Sequence, residues 1–499
     1  MNWKRKIMCG LLAATIMLSF LGCEKKASEN GSETTQLKMV LVGDKPAIYD
    51  EIYGELNKML KKDINAELSI EYMSYSDMDK KYALLFSGQD DFDLVFSANW
   101  IDYAKYAQKN CFMEITEDML KQYAPKTYEK MTKQNLNDAR INGKIFMVPS
   151  TADEYNQRVV MIRGDLRKKY NIAELKTWDD FYAYLKTIAD NEPTMVPVCE
   201  LTGNGTVWNL MEGDNYINCG YEGAGVCYDL EKNKFVVRIE QPGYEALCNR
   251  RRQMVEDRII PNDMIANKTL SNMFKQGNSA VMMHNIETIA TQYVNYKATN
   301  PEWELEIYDF SEGKKKAVES CAANGISLNR KTKNYGKALE LIDLLRNDKR
   351  YFNLTWYGIE NKHWKKTGDN GIDVSLNKAL PKDQQYSAGC VWGWKNAEML
   401  LRDPQRPAVV DEILERWKTE TVPNPLSGFN YDDTKVKTQV ATLSSVLKQY
   451  ESPLNYGMIE KKNIEKSIKE FKDSMKKAGV DKVCSDMQQQ YDAFVKAQK

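Results

Sequence analysis

From residue 37 onward the apolar positions switch between two periods. Leu37 to Val42 is a short apolar run closed by Gly43-Asp44-Lys45-Pro46, which predicts a buried strand and then a turn whose proline opens a helix. Ile48, Ile52, Leu56, Met59 and Leu60 follow at helical spacing. Leu68 to Tyr72 predicts a second strand. A helix then stops near Phe86-Ser87-Gly88, and Leu94-Val95-Phe96 predicts a third strand entering Ser97-Ala98-Asn99-Trp100. A second unit of the same kind starts after Val148-Pro149, with strands over Val159 to Ile162, Ala280 to Met283 and Gly325 to Leu328. Thr177 precedes Trp178-Asp179-Asp180-Phe181, so it reads as a helix cap with acidic residues in the first turn and Trp178 as packing. Ala338, Leu341, Ile342 and Leu345 mark an amphipathic helix. Ile464-Ile468-Phe471-Met475 and Val483-Met487-Tyr491 mark two more, separated by Ala478-Gly479. Residues 201–234 are rich in glycine and asparagine. Strands alternating with helices give an α/β class with mostly parallel sheets, whose ligand crevice lies beyond the carboxyl ends of the strands. Asp44, Lys45, Ser97, Asn99 and Trp100 fall at such ends.

The chain before this pattern is of another kind. Lys4, Arg5 and Lys6 precede an apolar stretch from Ile7 to Leu21, about 15 residues, which suits a signal segment and falls short of a spanning helix. It ends at Phe20-Leu21-Gly22-Cys23, which resembles the bacterial lipobox, with Phe20 and Leu21 departing from the usual residues. That resemblance implies lipidation of Cys23. A plain secretory signal is the other reading. Glu24 to Gln36 is polar and small, as a tether would be.

Composition narrows the chemistry. The chain has 499 residues and balances 70 basic against 70 acidic side chains, so no cationic surplus draws it to nucleic acid. Two histidines disfavour His-based metal sites and Ser-His-Asp machinery. Of the ten cysteines, eight remain beyond Cys23: Cys111, Cys199, Cys219, Cys227, Cys248, Cys321, Cys390 and Cys484. None forms a Cys-x-x-Cys pair. Cys219 and Cys227 could bridge a glycine-rich turn, or the cysteines could be buried small hydrophobes. No cofactor is expected.

Four stretches carry a resemblance to a known family: Ser87-Gly88-Gln89-Asp90-Asp91-Phe92-Asp93-Leu94-Val95, Asn142-Gly143-Lys144-Ile145-Phe146-Met147-Val148-Pro149, Thr177-Trp178-Asp179-Asp180-Phe181 and Phe274-Lys275-Gln276-Gly277-Asn278-Ser279-Ala280-Val281-Met282. In order and spacing they resemble the extracellular solute-binding lipoproteins of bacterial ABC importers, of the type that includes carbohydrate binders. Phe92 stands where that family has proline, and Phe146 where it has tyrosine. Leu454-Asn455-Tyr456-Gly457, the stretch from Met475 to Lys482, and Gln488-Gln489-Gln490-Tyr491 look like a C-terminal domain of uncharacterised role that accompanies large lipoproteins of this type in Gram-positive bacteria.

The resemblance implies a two-lobed periplasmic-binding-protein-like fold (type II) with a helical C-terminal extension. The expected division is 1–22 signal peptide, 23–36 tether, 36–151 plus 286–319 lobe one, 156–284 plus 320–430 lobe two, and 431–499 helical region. It also implies a lipid-anchored monomer on the extracellular face of a Gram-positive cell membrane. Its partners would be ABC permease subunits and a solute, an oligosaccharide before a peptide. A sugar presents hydroxyls at its rim and C–H groups on its faces, so its site needs flat rings and hydrogen-bonding side chains. The aromatic candidates are Trp100, Trp208, Tyr357, His363, Trp364, Trp392 and Trp394. The polar ones are Asp44, Lys45, Asn99, Glu154, Tyr155, Asn204 and Asn285. Each has a bland alternative as packing or turn residue.

Two other classes compete. A secreted carbohydrate-active enzyme would need two positioned carboxylates, but Asp90-Asp91-Phe92-Asp93 reads better as a loop entering a strand. No Gly-x-Ser-x-Gly, Walker or His-Glu-x-x-His motif occurs. A sensory or adhesion lipoprotein could use the same body.

Overall fold

The computed structural model describes residues 33–87, 91–151, 155, 158–199, 216–217, 224–267 and 272–498. The signal segment, Cys23 and most of the tether lie outside these residues, as do Glu154, Asn204, Trp208 and Cys219.

The first sheet is built as the apolar runs predict. Thr35–Val42 pairs in parallel with Ala66–Met73 on one side and with Leu94–Ser97 on the other. Between the first two strands runs the helix Tyr49–Ile64, which buries Ile52, Leu56 and Leu60 at the predicted spacing. Two antiparallel strands complete the sheet: Gly325–Leu328 beside Leu94–Ser97, and Met147–Pro149 beside Gly325–Leu328. In the second sheet Arg158–Arg163 lies between the antiparallel strands Ser279–Asn285 and Leu305–Tyr308, and Val196–Val198 adds in parallel to Ser279–Asn285. The helix Trp178–Asn191 starts on the capping box the sequence predicts. Thr177 Oγ1 accepts from the Asp180 N–H at 3.2 Å, and Trp178 packs edge-on against Phe181.

The two sheets seed separate cores, and their membership corrects the expected lobe boundaries. The core of the first sheet takes in Ala322, Ile326, the helix Tyr335–Asn347 and the chain as far as Trp394. The core of the second takes in Ile286, Ile289, Leu305 and Ile307, and later Val410, Ile413 and Trp417. Residues 286–319 therefore belong mainly with lobe two, and residues 320 to about 400 with lobe one, the reverse of the assignment from sequence. The reason is physical. Gly325–Leu328 is buried throughout, Ser327 included, and so short a buried strand carries no local mark of the sheet it will join.

A third core lies alongside lobe two. It joins the strands Val226–Asp229 and Lys234–Val237 and the helix Tyr244–Glu256 to the C-terminal helices Lys437–Asn455, Ile464–Ala478 and Val480–Gln498. Ile464, Ile468, Phe471 and Met475 are all buried there. Gly479, at φ +89°, ends the first helix of the predicted pair. The Tyr450 and Phe471 rings stack at 5.4 Å. Among the described residues, no helix is long and apolar enough to cross a membrane.

Candidate ligand-binding cleft

Strand direction determines which sheet edges meet. The ends of Thr35–Val42, Leu94–Ser97 and Met147–Pro149 share one edge with the start of Gly325–Leu328, because Gly325 pairs with both Ser97 and Pro149. In lobe two, the start of Arg158–Arg163 shares an edge with the ends of Ser279–Asn285 and Leu305–Tyr308. The chain passes between these edges from Pro149 to Arg158 and from Tyr308 to Gly325, and a third passage between the lobes runs from about Leu400 to Ala408. Two edges joined by two short crossings must face each other, and the space between them is the candidate site.

On lobe one this edge carries two accessible indoles. Trp100 is 49% exposed, and its Nε1 donates to the Ala323 carbonyl at 2.9 Å. Trp392 is partly buried. Both rings lean on buried Phe96, with centroids at 5.8 and 6.2 Å. At the neighbouring Gly393 a Cβ would meet Ile326 Cδ1 at 2.5 Å, so this turn lies tight against the sheet. Asp44, Lys45 and Asn99 are exposed at the same edge. Lys45 lies 4.3 Å above the Tyr49 ring and reaches Asp50. Tyr75, which sequence reasoning missed, is 54% exposed beside Gly43. Its place just after the strand Ala66–Met73 is the signal that could have found it.

Lobe two presents Tyr155, Arg158, His284 and Asn285. Tyr155 packs on the Trp417 ring at 5.8 Å. Asn285 caps the helix Ile286–Thr299, its Oδ1 accepting from the Thr288 N–H at 2.8 Å. His284 Nδ1 accepts from the Asn285 N–H at 2.9 Å. Burial first, and the Arg158 charge second, pull its imidazole down to about 4, so it stands neutral at ordinary pH. Glu287, one turn further on, bonds Arg406 at 2.8 Å. Burial raises its carboxyl, but the Arg406 hydrogen bond and the Arg406 and Lys395 charges outweigh that and hold it below the usual range. Lys395 follows Trp394 in lobe one, so this ionic group acts across the two lobes.

The structure removes four of the expected ligand residues from the site. His363 is fully buried, its Nδ1 accepting from the Ile359 N–H at 2.9 Å. Trp364 donates to the Gly358 carbonyl, and Trp394, 1% exposed, to Thr355 Oγ1 at 3.2 Å. The Tyr357 hydroxyl accepts from the Leu401 N–H, burial pushes its phenol up to about 12, and its ring packs against Trp364. These aromatics form the interior behind the rim. A separate concavity of about 370 Å³, lined by Phe112, Glu114, Lys144 and Arg330 among others, opens at the opposite edge of the first sheet. Among the described residues, no group of His, Cys, Asp and Glu could hold a metal ion.

The family described as "Bacterial extracellular solute-binding protein" matches residues 42–350. The chain belongs to this family. A second match, described as "Domain of unknown function (DUF3502)", covers residues 425–496, the helical part of the third core. A "Carbohydrate ABC transporter substrate-binding protein" of Streptococcus pneumoniae is 25% identical over the full length of both chains. Lipoprotein LipO of Bacillus subtilis is 24% identical over 42% of this chain and 43% of its own. Among solved structures, the N-glycan transport solute binding protein (NgtS) of Streptococcus pneumoniae superposes with a TM-score of 0.77 at 23% identity, over 93% of this chain and all of that one. The alginate-binding protein AlgQ2 gives 0.67 at 17% identity, over 92% and 98%. The two-lobed α/β architecture of this solute-binding protein is thus shared over nearly its whole length, and the relatives are named as binding and transport proteins. The candidate cleft lies between the two lobes of the family fold.

Proposed function

We propose that the protein captures an oligosaccharide in the cleft and delivers it, without turnover, to ABC permease subunits. The observation that carries this reading is the lobe-one rim, where exposed Trp100 and partly exposed Trp392 both lean on Phe96. Asp44 and Asn99 beside them, and neutral His284 opposite, are placed to exchange hydrogen bonds with hydroxyls. Ring faces take the C–H side of a sugar and polar groups its rim. The relatives support the same class: NgtS is described in complex with Man1GlcNAc and with Man5GlcNAc. Closure follows because only the closed form touches the ligand from both lobes. Cys23 would carry a lipid that holds the protein, as a monomer, at the extracellular face of the membrane. Lys45, Asn99, Tyr155 and Asn285 complete the proposed contact set.

The test is a thermal-shift titration of the chain against Man5GlcNAc, other oligosaccharides and a peptide panel. A bound sugar raises the melting temperature in proportion to the logarithm of its excess over Kd. A shift from peptides with none from any sugar would overturn the substrate class.

A further inference from the structure

The C-terminal helices share their core with the lobe-two strands Val226–Asp229 and Lys234–Val237. The segment leading into them nonetheless grips lobe one. Ser427 donates its hydroxyl to Asp138 Oδ1 and accepts from Gln134 Nε2. Asn430 Nδ2 donates to the Arg140 carbonyl at 2.6 Å. Gly428, at φ +72°, brings its backbone so close to Asn137 that a Cβ would stand 3.1 Å from that residue's carbonyl oxygen. Gln134, Asn137 and Asp138 lie on the lobe-one helix Lys133–Asp138.

Asp138 faces two ways. It is buried, and while Oδ1 accepts from Ser427 and Gln134, Oδ2 accepts from the Cys321 N–H at 2.7 Å. Asn135, one turn earlier, reaches Cys321 Sγ at 2.8 Å. Cys321–Ala323 is the single turn that ends the second crossing between the lobes. It also anchors the first crossing, because the Ser150 N–H donates to the carbonyls of Cys321 and Asn324. Its last residue, Ala323, holds the Trp100 indole. Two hydrogen bonds therefore lead from Ser427 through Asp138 to the crossing turn, whose backbone carries the link to Ala323 and the ring at the rim.

We propose that Asp138 is a positioning residue through which the C-terminal body sets the crossing turn and, with it, the pose of Trp100. The body of unknown role then acts as a brace: it moves with lobe two, grips lobe one beneath the first two crossings, and so fixes the lobe angle from which closure starts. A carboxylate suits this junction because it offers two separate acceptor oxygens, one to each element, where an amide or a hydroxyl has only one. The proposal rests on the reading of Trp100 as a cleft ring. Its test uses no ligand, so it can fail while the oligosaccharide reading stands, and the reverse.

Ser427→Ala in the full chain cuts the brace at a part-buried contact without touching lobe one's core, and hydrogen–deuterium exchange reads the outcome. The expected result is exchange about five- to tenfold faster in peptides spanning 318–326 and 98–103, with little change in melting temperature, and recovery in Ser427→Thr. Faster exchange confined to residues near 427, with both crossing-turn and Trp100 peptides unchanged, would overturn the proposal. Asp138→Asn gives a second reading, since its amide retains one acceptor oxygen. It should loosen the 318–326 peptide even if Ser427→Ala lowers overall stability. Unchanged protection there would also count against the positioning role.

Discussion

Trp392 and Trp394 stand two residues apart in one 3-10 turn, yet one ring lies at the rim of lobe one and the other in its interior. The interior ring has what a buried indole needs: full enclosure and a hydrogen-bond acceptor, Thr355 Oγ1. Trp364 behind it is satisfied in the same way by the Gly358 carbonyl. At the rim, Trp100 also gives its N–H to a carbonyl, but nearly half its surface stays open. The lesson is that a satisfied N–H does not separate packing from function. What separates them is exposure: Trp394 and Trp364 are enclosed at 1% and 2%, whereas Trp100 keeps 49% of its surface open at the strand ends.

The comparison predicts opposite phenotypes for neighbouring rings. Trp394→Ala should lose about 3–5 kcal/mol of stability, the cost of emptying a fully buried aromatic site, measured by chemical denaturation. If it instead stays stable and loses sugar binding, the division into rim and interior fails.

The next largest effect concerns the cleft face of lobe two. The fold holds His284 near a pKa of about 4, against 6.5 when unfolded. Between those values the unfolded chain binds more protons than the folded one, so stability rises with pH. The stabilisation is complete above the unfolded value and is lost as pH falls from 6.5 toward 4. It should amount to about 2–3 kcal/mol at most. His284→Gln should flatten the pH 4–7 slope of denaturation midpoints relative to the parent chain. Parallel slopes would refute the neutral imidazole held by the fold.

At the rim, Trp100→Ala and Trp392→Ala should each weaken oligosaccharide binding by about 1–2 kcal/mol, up to roughly thirtyfold, while moving the melting temperature little. Calorimetric titration of both variants decides this, and unchanged affinity in both would remove the rim from the site. Smallest of all, Glu287→Gln should cost under about 1 kcal/mol, because its ion pair with Arg406 is half-exposed and screened. Denaturation at low and high salt should bring variant and parent together.

Much of the fold was legible locally. The strand at Leu37 to Val42, the helix buried through Ile52, Leu56 and Leu60, the Thr177 cap and the C-terminal pair broken at Gly479 all follow from period, cap and glycine. Asp44, Asn99 and Trp100 were placed correctly at strand ends because chain direction in a parallel sheet fixes which end is which. The aromatic cluster from Tyr357 to Trp364 was misread for a related reason: aromatics in a turn-rich stretch have no period from which burial can be read.

The sequence by itself determined the element types, the α/β class, the signal segment as an expectation, and the motif order that the family shares. Tertiary structure alone decided which sheet Gly325–Leu328 enters, which of two tryptophans flanking Gly393 turns inward, and that Asp138 joins Ser427 to Cys321 across 289 and 183 positions of chain. Period, caps and turns act over a few residues, and the sequence states them directly. Strand partners and shared carboxylates are settled by competition among distant segments for the same buried surface, which no local pattern records.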